Sequence, residues 1–132
     1  MTQEFIPYEQ ALELKELGFK YGCQRFYNKN KKIKWSFANG LGQEYFNQSD
    51  AVAAPLYQQA FRWFREKYNL HFYSFEVNIP YPDDDYPNKV WVGKINDNYV
   101  NTQNGLAINH FHTYEEAELA CLKKLIETTK NK

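Results

Sequence analysis

Three histidines are the side chains of this chain best suited to acid–base chemistry. His110 and His112 stand two positions apart at a predicted strand end, and His71 begins another predicted strand 39 residues before His110. An imidazole titrates near neutral pH, so two of them can act as acid and base on either side of a scissile phosphate. Two-histidine phosphoesterases use paired His-x-Ser/Thr motifs, whereas the third residues here are His112 and Tyr73. A small two-histidine phosphoesterase that degrades a nucleotide signal is therefore the alternative function.

Metal and cofactor chemistry finds little support in the sequence. Two histidines need a third and a fourth zinc ligand, and none is spaced nearby. The consecutive Asp83, Asp84 and Asp85 lack the alternating acids, glycine and final glutamate of a calcium-binding EF-hand loop. No phosphate-binding Walker loop, GxSxG, HExxH or GxGxxG motif occurs. The sequence predicts neither a metal site nor a cofactor.

Aromatic side chains are the main compositional excess, with 11 Tyr, 10 Phe and 3 Trp making up 18% of the chain. Rings that the core does not need can stack on a base or anchor a partner protein. An arginine beside an exposed indole can grip a phosphate and a ring together. The candidate ligand-binding residues are Arg62, Trp63, Arg65, Tyr81, Tyr86, Trp91 and Lys94.

The charge balance argues against a generic DNA-binding role. Sixteen basic and 16 acidic side chains give a formal net charge of zero, so no overall field attracts a polyanion. Only Arg25, Arg62 and Arg65 supply guanidinium groups, which are the usual bidentate partners of phosphate and guanine. A neutral, aromatic-rich surface also carries little charge repulsion, so homo-oligomers are compatible with this composition.

Compartment is indicated by the cysteines and by the absence of targeting signals. Cys23 and Cys121 are isolated in sequence and are expected to be small buried side chains in a reducing cytoplasm. The start of the chain has no basic segment followed by an apolar one, and no apolar run approaches the roughly 20 residues of a membrane span. A cytoplasmic protein without membrane contact is expected.

The elements that must position these residues follow from local signals. A first helix begins near Pro7 and ends at Gly18, and a hairpin of strands 21–27 and 32–37 follows around the turn at residues 28–31. After a loop at 39–50, a second helix starts at Pro55 and ends at Asn69, which is expected to take a left-handed conformation. Its apolar stripe consists of Tyr57, Ala60, Phe61, Phe64 and Tyr68. Residues 71–79 alternate as a strand, residues 80–88 form an exposed loop, and 89–95, 99–102 and 106–111 are short strands.

The last helix has the clearest start signal, a capping box formed by Thr113 and Glu116. The resulting order, α-ββ-α-ββ(β)-α, predicts an α+β fold in which an antiparallel sheet of four to five strands is packed by three helices. A length of 132 residues predicts a single domain over residues 1–132.

The three helical blocks also carry a family resemblance. Their sequences are FIPYEQALELKELGF at residues 5–19, APLYQQAFRWFREKYNL at 54–70 and YEEAELACLKKLIE at 114–127. They resemble a family of short, uncharacterised phage and prophage proteins. The resemblance implies a small accessory protein in the cytoplasm of the host cell, acting on host factors or on the nucleotide signals of bacterial defence. It implies no catalytic residue.

Together these observations predict a phage-encoded, non-enzymatic binding protein. It would counteract a host defence pathway by sequestering a nucleotide-type signal or by docking on a host protein.

Overall fold

A computed structural model of the chain describes residues 5–19, 23–35, 51–80, 88–101 and 110–131. Within these ranges the helices are α1 (Tyr8–Leu17), α2 (Tyr57–Tyr68) and α3 (Tyr114–Lys130). The strands are β1 (Arg25–Tyr27), β2 (Ile33–Trp35), β3 (Val52–Ala54), β4 (Phe72–Asn78), β5 (Lys89–Ile95) and β6 (Asn98–Tyr99). The α+β class and the approximate order of elements are confirmed.

The chain divides into two compact units, Met1–Trp63 and Phe64–Asn131, where its length alone predicts one domain. Each unit holds a small antiparallel sheet, β2-β1-β3 in the first and β4-β5-β6 in the second. The described residues thus form six strands in two sheets, where the sequence predicted one sheet of four to five strands. Hairpin-length connections explain this, because each strand pairs with a neighbour in its own half of the chain.

Helix α1 of the first unit ends at a glycine, as predicted. Gly18 has the left-handed φ of 97°, and the backbone N–H of Phe19 donates to the carbonyl of Leu14 at 2.9 Å. This geometry satisfies a carbonyl at the helix end and folds the Phe19 ring back into the core. The end of this helix is therefore fixed by local chemistry.

The first sheet is built on a hairpin whose turn is held by Asn28. Its side-chain oxygen accepts from the backbone N–H groups of Asn30 and Lys32, and Lys31 takes a positive φ of 65°. Strand β3 pairs antiparallel with the other edge of β1 and is buried. The sequence did not predict β3, because three residues between a polar loop and Pro55 give too short an alternating pattern.

Helix α2 buries the predicted stripe. Ala60, Phe61 and Phe64 are buried, and so is Tyr57 one turn earlier. Asn69 takes the predicted left-handed conformation (φ 56°) after the last turn. The apolar period of the sequence therefore identified the buried side of this helix correctly.

The second unit packs α3 against one face of its sheet. A Cβ atom added to Gly93 of β5 would lie 2.4 Å from the sulfur of Cys121 and 3.7 Å from the carbonyl oxygen of Ala117. The glycine therefore lets helix and strand approach closely. The predicted N-cap is confirmed, since Thr113 Oγ1 accepts from the N–H of Glu116 at 3.1 Å.

Several predicted segments lie outside the described residues, namely the loop at 39–50, the loop residues 81–87 and most of the strand at 106–111. Of that last strand, Phe111 is described, and it forms an antiparallel bridge with Trp91. No helix in the described ranges is both long enough and apolar enough to span a membrane.

Candidate ligand-binding surfaces

The predicted arginine–tryptophan surface of α2 does not form. Trp63 is only 3% exposed, and its ring packs edge-on against Phe19 with centroids 5.5 Å apart. Arg62 and Arg65 are exposed on the helix. The indole is therefore a core group of the first unit and offers no ring face to a ligand.

Trp91 and Lys94 lie three positions apart on β5, so their side chains point to opposite faces of the sheet. The ring of Trp91 packs edge-on against Tyr114 of α3, with centroids 5.1 Å apart. Lys94 is on the other face, and the two residues do not share a pocket. The candidates Tyr81 and Tyr86 lie outside the described residues.

The sheet register separates the histidines. The backbone N–H of Asn96, just beyond the end of β5, donates to the His71 carbonyl, and the His71 N–H donates to the Asn96 side-chain oxygen Oδ1. The His71 ring is hydrogen-bonded to Asn69 at 3.0 Å. His110 and His112 flank Phe111, which pairs with Trp91 near the start of β5 and on its other edge. Five residues at about 3.3 Å each separate Trp91 from Asn96 along the strand. The register therefore gives no support to one phosphate site shared by His71 and the other two.

The face beneath α3 is packed and poorly hydrated. Burial raises the pKa of the Glu118 carboxyl, and burial together with Glu118 raises the pKa of Tyr114 to about 12. Burial likewise raises the pKa of both thiols, Cys23 in the first unit and Cys121 here, to about 12. Such thiols stay protonated at neutral pH and are poor nucleophiles. In the described part of the chain, no cluster of three His, Cys, Asp or Glu residues is arranged to hold a metal ion.

The opposite face of the second sheet carries a row of three side chains in register. Tyr73 of β4 is opposite Lys94 of β5, and Lys94 is opposite Tyr99 of β6. Directly paired residues point to the same face with Cβ atoms roughly 5 Å apart. We call Tyr73, Lys94 and Tyr99 the tyrosine–lysine row.

The tyrosine–lysine row is open to solvent. Tyr73 is 53% and Tyr99 is 52% exposed, and Phe75, one row further along β4 on the same face, is 41% exposed. The Lys94 ammonium lies 5.0 Å from the centre of the Tyr99 ring. A cation–π contact at an exposed site contributes only about 0.5–1 kcal/mol, so the ammonium is held near the ring without being locked there.

A second group of this kind lies in the first unit, where Arg25 and Trp35 are directly paired across β1 and β2. The central guanidinium carbon of Arg25 lies 4.6 Å from the centre of the Trp35 ring and 5.3 Å from that of Phe5. Trp35 is 64% exposed. We call Phe5, Arg25 and Trp35 the arginine corner.

These two groups, together with Phe75 beside the tyrosine–lysine row, account for every strongly exposed large apolar side chain of the described residues: Trp35, Tyr73, Phe75 and Tyr99. Each lies on a sheet face that also presents a cation. Sequence reasoning found Lys94 but missed the others, because it assigned surface rings by loop position and helix side. The pairing of Arg25 with Trp35 was available only from the hairpin register.

No protein-family model, curated protein or solved structure matches the chain.

Proposed function

We propose that this chain is a non-enzymatic binding protein for a nucleotide-type ligand, and that the tyrosine–lysine row is its binding surface. In this proposal it is a phage protein that acts in the host cytoplasm and counteracts a defence pathway by sequestering such a signal. The observation that carries the proposal is the in-register placement of Lys94 between two half-exposed tyrosines.

The side chains of the tyrosine–lysine row suit the base and the phosphate of a nucleotide-type ligand. A base can stack on a tyrosine ring, a contact worth about 1–3 kcal/mol per base. A phosphate oxygen can accept from the Lys94 ammonium, and hydrogen bonds to charged groups contribute about 1.5–3 kcal/mol. No ion pair of Lys94 with another described residue competes for that ammonium.

A single lysine and an overall charge of zero suit a small ligand better than a polymer. A polyanion is normally held by many Lys and Arg contacts, each of which releases counterions and adds to the salt dependence of binding. A mononucleotide, dinucleotide or ADP-ribose derivative needs only one or two phosphate contacts.

The test is calorimetric titration of the protein with AMP, cyclic dinucleotides and ADP-ribose, followed by heating and chromatography of the released ligand. A sequestering protein returns the molecule intact. Lys94→Gln should weaken binding about tenfold or more. Lys89→Gln is the matched control, because Lys89 lies on the same strand but points to the opposite face.

Equal affinity in the two lysine variants, or no binding to any of these molecules, would contradict the ligand proposal. Turnover of a bound nucleotide that His110→Ala abolishes would instead favour the phosphoesterase alternative.

Docking on a host protein is the second candidate, favoured by the contiguous exposure of Tyr73, Phe75 and Tyr99. Exposed aromatic side chains are typical anchors of protein interfaces. A stable host complex that Tyr73→Ala disrupts, in the absence of any nucleotide binding, would favour this version. A second copy of the chain could cover the same rings, and light scattering of the purified protein distinguishes a homo-oligomer from a monomer.

A further inference from the structure

We infer that the arginine corner of the first unit is a separate binding site for an oxyanion carried on a flat ring. The inference does not depend on the function proposed for the second unit, because it uses different residues on a different sheet. The shared chemistry is a phosphate or carboxylate attached to an aromatic body.

The Arg25 side chain holds a buried N–H donor, Nε, that has no partner among the described residues. A guanidinium group has five N–H donors and is normally paired with carboxylates, carbonyls or phosphate. Across the described ranges, no hydrogen bond or ion pair of the Arg25 side chain is found, and its Nε atom is buried without a partner. A buried donor left in this state costs about as much as a lost hydrogen bond.

The guanidinium group of Arg25 is also held in position before any ligand binds. The Trp35 and Phe5 rings lie 4.6 and 5.3 Å from its central carbon, so two apolar rings flank the guanidinium group. Arg25 is also paired with Trp35 in the β ladder, which fixes the backbone beneath both side chains. A planar guanidinium group held between rings loses little rotamer entropy when it binds an oxyanion through two parallel hydrogen bonds.

The indole ring of Trp35 is available for stacking. Trp35 stands on β2, an edge strand of its sheet, and is 64% exposed. A large ring left in water beside a guanidinium group offers stacking area for the ring of a ligand whose anion contacts that group. Anion and ring are thus recognised together, and neither alone should bind as well.

The experiment is NMR titration of the full chain, following the Arg25 Nε–H and the Trp35 indole N–H. The probes are AMP, adenosine, inorganic phosphate and benzoate. We expect AMP to shift both signals, and adenosine and inorganic phosphate to do so only at much higher concentration. Benzoate shifting both signals at lower concentration than AMP would identify a carboxylate as the better oxyanion source.

Arg25→Gln should weaken AMP binding at this site about tenfold or more, and Arg25→Lys should also weaken it because one ammonium cannot replace the bidentate fork. Lys34→Gln is the matched control, since Lys34 precedes Trp35 on β2 and points to the other face. Trp35→Ala removes an exposed ring and keeps the test valid if the Arg25 variants fail to fold.

The inference is overturned if neither AMP nor benzoate moves the two signals, or if adenosine moves them as effectively as AMP. Inorganic phosphate binding as tightly as AMP would also overturn it, because the ring would then contribute nothing. If AMP does not bind at Lys94 but still shifts the Arg25 and Trp35 NMR signals, only the function proposed for the second unit is contradicted.

Discussion

Two groups of side chains on opposite faces of the second sheet are similar in type and differ in their surroundings. One face presents Trp91 and Gly93 to α3, where the indole packs on Tyr114 and the glycine allows close contact with Cys121. The other presents Tyr73, Lys94 and Tyr99 to solvent. Aromatic content is therefore not what distinguishes core from surface here.

What differs between these two groups is whether other residues cover them. Exposure does not follow the sheet face as a whole, because Val90 and Val92 lie on the face of Lys94 and are buried. An aromatic ring stabilises the fold only when neighbouring groups remove its surface from water, and the same ring left exposed contributes area for a partner. Substitutions of the side chains that α3 covers, which we call the closed face, should therefore lower stability and leave binding intact. Substitutions in the exposed tyrosine–lysine row, which we call the open face, should weaken binding and leave stability nearly unchanged.

The largest effect is expected from Leu125→Ala on α3. Leu125 is fully buried and follows Cys121 by four residues, on the helix side that covers the sheet. Truncation of a buried leucine costs about 2–5 kcal/mol. Urea denaturation measures the loss, with the exposed Lys123→Ala on the same helix as the control. A cost below about 1 kcal/mol would mean that the closed face is not a well-packed core.

Gly93→Ala tests the same face from the strand side. The new Cβ would meet the Cys121 sulfur at 2.4 Å, so the helix or the sulfur must shift, and we expect a cost of about 1–3 kcal/mol. Cys121→Ala vacates that space, and the double variant should recover part of the loss. Additive costs in the double-mutant cycle would show that the two residues do not press on each other.

Glu118→Gln should change how stability depends on pH. Burial raises the pKa of the folded Glu118 carboxyl, so there is a pH interval in which the unfolded chain has released this proton and the folded chain has not. Stability falls as pH rises through that interval and levels off above the folded pKa. The glutamine variant should lack this fall and be the more stable protein at pH 7.

Denaturation curves at a series of pH values measure this dependence, and Glu127→Gln, an exposed change on the same helix, is the control. Identical pH profiles for wild type and Glu118→Gln would contradict the buried environment of this carboxyl.

Tyr73→Ala should have the smallest effect on stability, within about 0.5 kcal/mol, because the ring is half exposed. Its effect should appear in nucleotide affinity, through loss of a stacking face worth about 1–3 kcal/mol. Thermal melting and calorimetric titration of the same sample separate the two quantities. A large drop in melting temperature with unchanged affinity would reverse the assignment of open and closed faces.

The hairpin of the first unit shows where sequence reasoning reached its limit. A four-residue turn at positions 28–31 would pair Tyr27 with the next residue, Lys32, and Arg25 with Lys34. The structure pairs Tyr27 with Ile33 and Arg25 with Trp35. A shift of one residue sends a side chain to the other face of a sheet, so the arginine corner could not be predicted without the register.

The sequence by itself determined the features that depend on near neighbours. Gly18 ended α1, Thr113 capped α3 and the apolar period of α2 marked Ala60, Phe61 and Phe64 as buried, because caps and helical periodicity act within a few residues. The α+β class followed from the order of these elements.

Only the tertiary structure decided which rings face solvent. Trp63 lies in the core and Trp35 lies on the surface, although the two side chains are identical. Exposure depends on strand register and on which sheet face a helix covers, and both are set by contacts between residues far apart in the chain. Local patterns carry no information about those contacts, since the same alternation of residues fits either face of a sheet.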